Sequence, residues 1–268
     1  MRKLVTLTTD FGLRDSYVAE LKGALYAEGP SALEVVDLSH EIGPQNVREA
    51  ALFVRAAWPR FPAGTLHLVV VDPGVGSTRR ALAVAACNQL WLGPDNGVLS
   101  LVLRDQPAEV VALEPGRFTT RPVSATFHGR DVFAPAAARL AHGAALDELG
   151  ARVTSPLVSL PWPHSVRSPD GLHGEVVHVD HFGNLISNVS GAELAELAGP
   201  GPWEGWCVRV RDGASIPIVR CYADAQGSGP VALLGSSDWL EVAIANGHAS
   251  RQLGATVGAA MTIERNAC

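Results

Sequence analysis

The chain has 268 residues, of which 47% are hydrophobic and 18% are charged, and its formal net charge at pH 7 is -6. This composition excludes an intrinsically disordered chain, and the length allows one large domain or two modest ones, each with its own core. No CxxC pair occurs, which argues against a disulfide scaffold and a thiolate metal site; the scattered cysteines are Cys87, Cys207, Cys221 and Cys268.

Nucleic acid and membrane partners are disfavoured as well. Lysine and arginine form no cluster of the kind that binds phosphate backbones, so we expect no nucleic acid partner. The longest apolar runs, residues 65–71 and 81–87, are far shorter than the ~18 to 20 residues that span a bilayer. The apolar stretch near the start of the chain is too short for the core of a signal peptide, so we expect a cytoplasmic location.

Strand and helix patterns alternate over the first part of the chain. Residues 66–71 are almost continuously hydrophobic, which is typical of a strand buried on both faces of a parallel sheet. Asn46 and Glu49 form a capping-box pattern at the start of a helix. Further strands are predicted at 4–8, from 35, and at 81–86, 90–92 and 110–113, and further helices at 15–26, 97–104 and 135–142. This alternation predicts an open α/β, Rossmann-like sheet with helices on both faces over residues 1–160.

The second part of the chain has a different pattern. Prolines without sustained periodicity predict a linker at residues 161–171. Beyond it, short strands separated by turn residues predict a smaller all-β barrel at residues 172–268. The strands are expected at 174–180, 185–188, 208–210, 216–218, 231–234, 240–244 and 261–264, with the single helix at 191–197.

Polar loops follow the predicted strands of the first domain. They contain Asp10 and Asp15, Asp72 with Arg79, Asp95 with Asn96, and a later segment with His128. Ligands of open α/β sheets bind beyond the carboxyl ends of the strands, where these loops lie. A single aspartate of this kind is also a common helix cap or turn former, and that alternative stays open for each one. The glycines match neither the dinucleotide fingerprint nor a P-loop, so a nucleoside triphosphate is disfavoured.

Five segments in chain order carry a resemblance to a known family. They are Thr8-Thr9-Asp10-Phe11-Gly12, Val71-Asp72-Pro73-Gly74-Val75-Gly76, Gly93-Pro94-Asp95-Asn96-Gly97, Phe127-His128-Gly129-Arg130-Asp131 and Asp180-His181-Phe182-Gly183-Asn184. Together they resemble the S-adenosylmethionine (SAM) hydroxide adenosyltransferase family, whose relatives are the SAM-dependent fluorinases and chlorinases. Each motif alone is weak, but the similarity runs from about residue 4 to residue 247.

The resemblance implies a fold, an assembly and a reaction. An amino-terminal α/β domain would precede a β-barrel, in a homotrimer that binds SAM at its subunit interfaces. Water or hydroxide would attack the ribose C5′ of SAM and release adenosine and L-methionine, without a metal or another cofactor. The water-activating residues of the family correspond to Asp72, Arg79 and His128. Which of the three acts as the base is left open.

The resemblance also implies the substrate contacts. It puts Asp10 and Asp15 near the ribose or the reacting carbon, Asn184 at the adenine edge, and Asp180 on the methionine ammonium. The remaining residues assigned to substrate binding are Asp95, Asn96, Ser236, Ser237, Glu241 and Ala243, the last through backbone groups near adenine. Halogenating relatives carry an arginine beside the matching serine, whereas this chain continues with Asp238, so the partner of the methionine carboxylate is left open.

Three alternatives to hydrolysis of SAM stay open at this point. Halogenases of the group have Tyr-Pro and a threonine where this chain has Asp72-Pro73 and Val75, so the resemblance favours hydrolysis over halogenation. A metal-dependent hydrolase would use Asp10, Asp72, Asp95 and His128 as ligands. A SAM or adenosine sensor would bind the ligand without turnover.

Overall fold

The structure is a computed structural model that describes residues 3–265 except Gln226 and Ser228, so Cys268 lies outside the described residues. The chain divides into two compact units, Met1–Leu160 and Pro161–Cys268. In the described part of the chain, no helix combines the length and the apolar character needed to cross a bilayer.

The first unit is built on a mixed sheet of seven strands, in the order β2-β1-β3-β5-β4-β6-β7. Strands β2, β1, β3 and β5 pair in parallel, whereas β4 is antiparallel to both of its neighbours and β7 is antiparallel to β6. The strands are β1 (Lys3–Thr9), β2 (Leu33–Ser39), β3 (Leu66–Val70), β4 (Ala81–Ala86), β5 (Gln89–Pro94), β6 (Ala108–Leu113) and β7 (Gly150–Arg152).

Helices cover both faces of this sheet, as the sequence predicts. Leu68 packs on one face with Leu21 and Leu140, and Val69 packs on the other face with Val54. Adjacent residues of β3 therefore enter opposite apolar layers, which confirms the strand buried on both sides. The helices are α1 (Tyr17–Glu28), α2 (Val47–Ala57), α3 (Ser100–Leu103) and α4 (Ala134–Ala141).

A hairpin turn reverses the chain between β4 and β5. Only Cys87 and Asn88 lie between the two strands, and their φ angles are 56° and 57°. Positive φ at both central residues is the requirement of the two-residue turn that matches the twist of a hairpin. Because of this turn, β4 runs against the parallel strands and begins where β5 ends.

A π-helical turn, Gly129–Phe133, leads directly into α4. Pro135 has no N–H, and its ring would collide with the carbonyl four residues earlier in a regular α-helix. The wider turn, in which the Ala134 N–H donates to the Gly129 carbonyl, accommodates this proline. His128 therefore stands at the amino-terminal end of a continuous helical segment.

The second unit is a barrel-like antiparallel sheet, which confirms the predicted β-barrel. Its path is β12-β11-β15-β9-β10-β14-β13, and β8 pairs with β9. A bridge between Ile218 and Ala232, with the Val219 N–H 2.8 Å from the Ala232 carbonyl oxygen, joins the two ends of this path. The strands are β8 (Val166–Ser168), β9 (Gly171–Val179), β10 (Leu185–Ser190), β11 (Trp206–Val210), β12 (Ile216–Pro217), β13 (Pro230–Leu234), β14 (Trp239–Ile244) and β15 (Ala260–Arg265).

Two short elements of this unit differ from the sequence prediction. The prediction of a single helix is wrong, because α6 (Ala249–Leu253) follows α5 (Gly191–Ala198). Five residues are too few to show a helical period, and α6 depends on its ends, where the His248 side chain accepts from Arg251 N–H and Gly254 has a φ of 59°. The segment predicted as a linker contains β8.

His67 is a core histidine of β3, as its position in a hydrophobic run predicts. Its Nδ1 lies 2.7 Å from Thr6 Oγ1 and its Nε2 lies 2.5 Å from Gln89 Oε1. The ring stacks on Trp91 with 4.2 Å between the centroids. Burial lowers the pKa of His67 to about 4.

This pKa shift predicts acid sensitivity of the fold. Unfolded histidine titrates near pH 6.5, so between pH 6.5 and about 4 the unfolded chain binds a proton at His67 that the folded chain does not. Above pH 6.5 the folded protein therefore keeps the full contribution of neutral His67 to its free energy of unfolding. At pH 5 this free energy is lower by about 2 kcal/mol. Urea unfolding at pH 7 and pH 5 should show a smaller pH dependence for His67→Gln than for the wild type. The same pH dependence in both proteins would contradict this origin.

Candidate active site

The carboxyl ends of three parallel strands meet at one edge of the first sheet. Asp10 directly follows β1, Asp72 comes two residues after β3, and Asp95 directly follows β5. Neighbouring parallel strands end on the same side, so the three carboxylates are brought to a common edge. This is the edge at which the sequence predicts a ligand.

The reversed strand β4 brings two arginines to the same edge. Ala81 at the start of β4 pairs with Pro94 at the end of β5, so the residues just before β4 lie beside the loops that follow β3 and β5. Arg79 and Arg80 are those residues. Arg79 binds Asp72, and the Arg80 backbone carbonyl accepts the N–H of the residue after Pro94.

A tight loop links β3 to β4, and one of its glycines lets the loop lie close to the chain segment that leads to His128. The Val75 N–H donates to the Asp72 carbonyl at 3.2 Å, which closes the first turn. Gly76 then adopts a φ of +77°, and a Cβ at this position would lie 2.3 Å from the Ala125 carbonyl oxygen. Only glycine allows this close approach, which holds the loop against the segment that leads to His128.

Arg79 binds Asp72 and His128 at the same time. Its Nε donates to Asp72 Oδ1 at 3.0 Å, and its Nη2 donates to Asp72 Oδ2. The same Nη2 lies 2.8 Å from Nδ1 of His128. The side chains of Arg79 and Asp72 are only 10% and 5% exposed, and the guanidinium lies over the Phe133 ring at 5.7 Å. A buried bidentate ion pair of this kind, with the imidazole bonded to the same guanidinium, holds a fixed geometry.

The contact with Arg79 determines the proton position on His128. A guanidinium has donors only, so Nδ1 of His128 must be the acceptor and the ring proton of the neutral imidazole resides on Nε2. Burial first, and the positive charge of Arg79 second, lower the pKa of His128. The ring is therefore neutral at neutral pH and presents an Nε2–H donor. The site therefore offers an N–H donor on His128 and carboxylate acceptor oxygens on Asp72.

The other predicted residues at this edge make internal contacts. Oδ2 of Asp10 accepts the Gln45 N–H at 2.8 Å, and Asp15 is exposed in the turn before α1. Asn96 donates through Nδ2 to the Val71 carbonyl at 2.9 Å, which ties the end of β5 to the end of β3.

Asp95 is buried and carries an ion pair with Arg80. Nε of Arg80 lies 2.7 Å from Asp95 Oδ2, and Oδ1 accepts the Val158 N–H at 2.9 Å. Nη1 and Nη2 of Arg80 continue to Ser155 Oγ and the Pro156 carbonyl. Both carboxylate oxygens of Asp95 thus hold the chain at 155–158 in place.

A second polar group lies in the barrel unit. Asp180 accepts from Asn184 twice, from the backbone N–H at 2.8 Å and from Nδ2 at 2.9 Å. Glu241 accepts from the Tyr222 hydroxyl at 2.6 Å. Burial and then the charge of Asp180 raise the pKa of Glu241, and burial followed by Glu241 raises that of Tyr222. Tyr222 lies in no motif and in no regular pattern, so the sequence carries no signal for it.

The remaining predicted residues of the barrel unit differ in exposure. Ser236 is exposed and Ser237 is half-buried in the turn between β13 and β14. Ala243 is completely buried and lies opposite Val231 in the ladder of these two strands. Its side chain packs in a small apolar cluster with Leu233.

The ligand set of the metal-dependent alternative is not gathered in the structure. Across residues 3–265, leaving out the two undescribed positions, no group of three or more His, Cys, Asp or Glu side chains is arranged to hold a metal ion. Asp72 and Asp95 are instead each paired with an arginine.

The approach of Gly76 to Ala125 predicts a specific effect of one methyl group. Gly76→Ala should displace the loop, separate Arg79 from His128 and lower the catalytic rate by ~10²-fold, the usual effect of misplacing a catalytic group by about 1 Å. Gly64→Ala is the matched control, because Gly64 has a φ of +80° but nothing within 4 Å of its Cβ position. Both variants place alanine at a positive φ, but only Gly76→Ala brings a Cβ against the Ala125 carbonyl. Steady-state rates and unfolding midpoints of the two variants therefore distinguish backbone strain from this steric clash. Equal rates in the two variants would contradict the role of the close approach.

Comparisons with known proteins identify the family and agree with the fold. The N-terminal domain of the SAM hydroxide adenosyltransferase family matches residues 5–150, and its C-terminal domain matches residues 174–262. A protein named (R)-S-adenosyl-L-methionine hydrolase from Thermus thermophilus is 40% identical over 263 residues, covering 95% of this chain and 96% of the relative.

Two further comparisons extend this result. A crystal structure of an uncharacterized conserved protein from Thermotoga maritima superposes with a TM-score of 0.88 at 34% identity, covering 97% of this chain and 100% of the other. A fluorinase from Actinopolyspora mzabensis is more distant, at 27% identity over 90% of both chains. The chain therefore belongs to the SAM hydroxide adenosyltransferase family, as the sequence motifs predict.

Proposed function

We propose that this protein hydrolyses S-adenosyl-L-methionine to adenosine and L-methionine by attack of water on the ribose C5′. The observation that carries the proposal is the single hydrogen-bonded chain of Asp72, Arg79 and His128, which supplies one acceptor and one donor for a water molecule. The 40% identity to a protein named (R)-S-adenosyl-L-methionine hydrolase gives independent support for this substrate.

The reaction requires alignment more than strong acid or base catalysis. A new bond forms between the water oxygen and C5′ while the C5′–S bond breaks and its electron pair returns to sulfur. The sulfonium becomes the neutral thioether of methionine, which is an excellent leaving group. The main task of the protein is therefore to hold a poor nucleophile in line with the breaking bond.

The proton positions in the triad favour Asp72 as the proton acceptor. Arg79 cannot accept a proton, and Nδ1 of His128 already accepts from Arg79 while Nε2 bears hydrogen. The carboxylate of Asp72 retains acceptor capacity beside its bonds to Arg79. After attack, the oxygen on C5′ is a protonated alcohol and a strong acid, so even a weakly basic carboxylate suffices to take its proton.

Hydrolysis is favoured over halogenation at the same loop. Val75 offers no hydroxyl group to a halide, and the Asp72–Arg79 ion pair with the neutral His128 carries no net positive charge to attract one. The identity of 40% to a named hydrolase also exceeds the 27% to a named fluorinase.

The direct test is incubation with SAM in water enriched in 18O. Mass spectrometry should find the label in the 5′-hydroxyl of adenosine, with equal methionine release and no loss of rate in EDTA. Loss of turnover in EDTA that a divalent ion restores would support the metal-dependent alternative. Formation of 5′-chlorodeoxyadenosine in chloride would support the halogenase, and tight SAM binding without products would support the sensor.

Single substitutions in the triad should lower turnover without unfolding the protein. Asp72→Asn, Arg79→Lys and His128→Asn should each reduce kcat by ~10²-fold or more, because each removes a group that orients the water or the guanidinium that holds these groups in place. His142→Asn is the matched histidine control, since His142 is exposed at the end of α4. Circular dichroism and steady-state kinetics distinguish loss of chemistry from loss of fold. A wild-type kcat in any triad variant would remove that residue from the mechanism.

The pH profile should reflect the neutral state of His128. Because its pKa is lowered, the imidazole is mostly neutral at pH 6.5, where an ordinary histidine is half protonated. Protonation would put hydrogen on Nδ1, directly against Arg79. We expect kcat/KM to remain level from pH 8 to below pH 6.5 and to decrease only in more acidic solution. A decrease centred at or above pH 6.5 would contradict this assignment.

The assembly, the location and the substrate contacts stay predictions of the sequence. They comprise a homotrimer with SAM at its subunit interfaces, a cytoplasmic location, no nucleic acid, membrane or cofactor requirement, and binding of SAM by the residues assigned above.

A further inference from the structure

We infer that His40 is a positioning residue for this reaction, acting on the site through Thr9 and Phe11. Its kinetic readout rests on the proposed hydrolysis of SAM. His40 follows β2 directly, and its side chain is only 2% exposed. None of the sequence motifs contains it, and it does not touch the triad.

His40 binds the loop after β1 from two sides. Nδ1 of His40 lies 2.8 Å from Thr9 Oγ1, and its backbone carbonyl accepts the Gly12 N–H at 2.8 Å. Thr9 Oγ1 in turn accepts the Phe11 N–H at 3.3 Å. Because the Thr9 oxygen accepts from Phe11, its hydroxyl proton is free to point to His40. The loop that carries Asp10 is thus fixed on both sides of that carboxylate.

The opposite side of the imidazole faces an anchored carboxylate. Nε2 of His40 is 3.1 Å from Asp37 Oδ1, although the two groups are not aligned as a hydrogen bond. Lys22 donates from Nζ to the other oxygen of Asp37 at 2.6 Å. This arrangement favours hydrogen on Nε2 and leaves Nδ1 as the acceptor for Thr9.

Phe11 connects this loop to the catalytic histidine. Its ring packs edge-on against Phe127 with 5.6 Å between centroids. It also fills the space beside Gly129, where a Cβ would lie 3.2 Å from the Phe11 ring. Phe127 and Gly129 are the two neighbours of His128 in the chain. A shift of Phe11 would therefore move the backbone on both sides of His128, because packed interiors transmit displacement.

Two pairs of variants test whether His40 acts on the site through its hydrogen bond to Thr9. In each pair, one variant keeps the hydrogen bond and the other loses it. The side-chain amide introduced by His40→Asn places an acceptor at the position of Nδ1, whereas the longer side chain of His40→Gln reaches only the position of Nε2. Thr9→Ser retains the hydroxyl, whereas Thr9→Val removes it at nearly constant volume. We expect kcat to fall about tenfold in His40→Gln and Thr9→Val with KM within about threefold of wild type. His40→Asn and Thr9→Ser should stay within about threefold in both constants.

A readout independent of catalysis separates this inference from the proposed function. Amide hydrogen exchange at Phe11 should accelerate in His40→Gln and Thr9→Val, and remain near wild type in the two conservative variants. This pattern would support the positioning role even if wild-type protein failed to turn over SAM. Equal kcat in His40→Asn and His40→Gln, or unchanged Phe11 exchange in all four variants, would overturn it. If the His40 variants fail to fold, the Thr9 pair decides by the same criteria.

Discussion

A guanidinium that can only donate hydrogen bonds is the centre of this site. Arg79 gives two bonds to the carboxylate of Asp72 and one to the imidazole of His128. The cation neutralises the carboxylate in a buried setting, and it also opposes a second proton on the imidazole. One side chain thereby contacts both partners and helps to keep the imidazole neutral. The result is a carboxylate acceptor and an N–H donor held in one hydrogen-bonded group, which we propose orients the attacking water.

The fold brings these three residues together by simple geometric means. Parallel strands deliver Asp72 to the carboxyl edge of the sheet, and the reversal of β4 brings Arg79 back to that edge. The helical segment before α4 delivers His128 from a distant part of the sequence. Gly76 then permits the last close approach, at a point where any side chain would meet the Ala125 carbonyl. Alignment at the site therefore depends on backbone packing as much as on the catalytic side chains.

Sequence patterns predicted most of this architecture, and the failures have physical reasons. The hydrophobic run at 66–71 predicted β3, and the capping box at Asn46 predicted the start of α2, where Asn46 accepts the Glu49 N–H. The direction of β4 could not be predicted from hydrophobicity, because it depends on the turn at Cys87 and Asn88, which lacks the usual glycine. The π turn before α4 is not predicted, because the sequence places Pro135 at the start of a helix. The wider turn is needed only when the helical segment begins before that proline.

Site residues that lie in or near sequence motifs could be predicted, whereas residues that reach the site only through tertiary packing could not. Asp72 and His128 lie in recognisable segments and Arg79 shortly follows one of them, and the structure joins the three by hydrogen bonds. Tyr222 and His40 belong to no motif, and their partners are 19 and 31 residues away in sequence. Contacts over such separations are set by the tertiary fold, so a single sequence gives no local signal for them.

The proposed role of the triad depends on which nitrogen of the His128 ring carries the proton. Long-range 1H–15N correlation spectra of the imidazole at neutral pH would determine it. The arrangement around Arg79 predicts a neutral ring with hydrogen on Nε2 and an unprotonated Nδ1 that accepts a hydrogen bond. A protonated ring, or a neutral ring with hydrogen on Nδ1, would show that Arg79 does not hold His128 as described and would contradict the mechanism built on it.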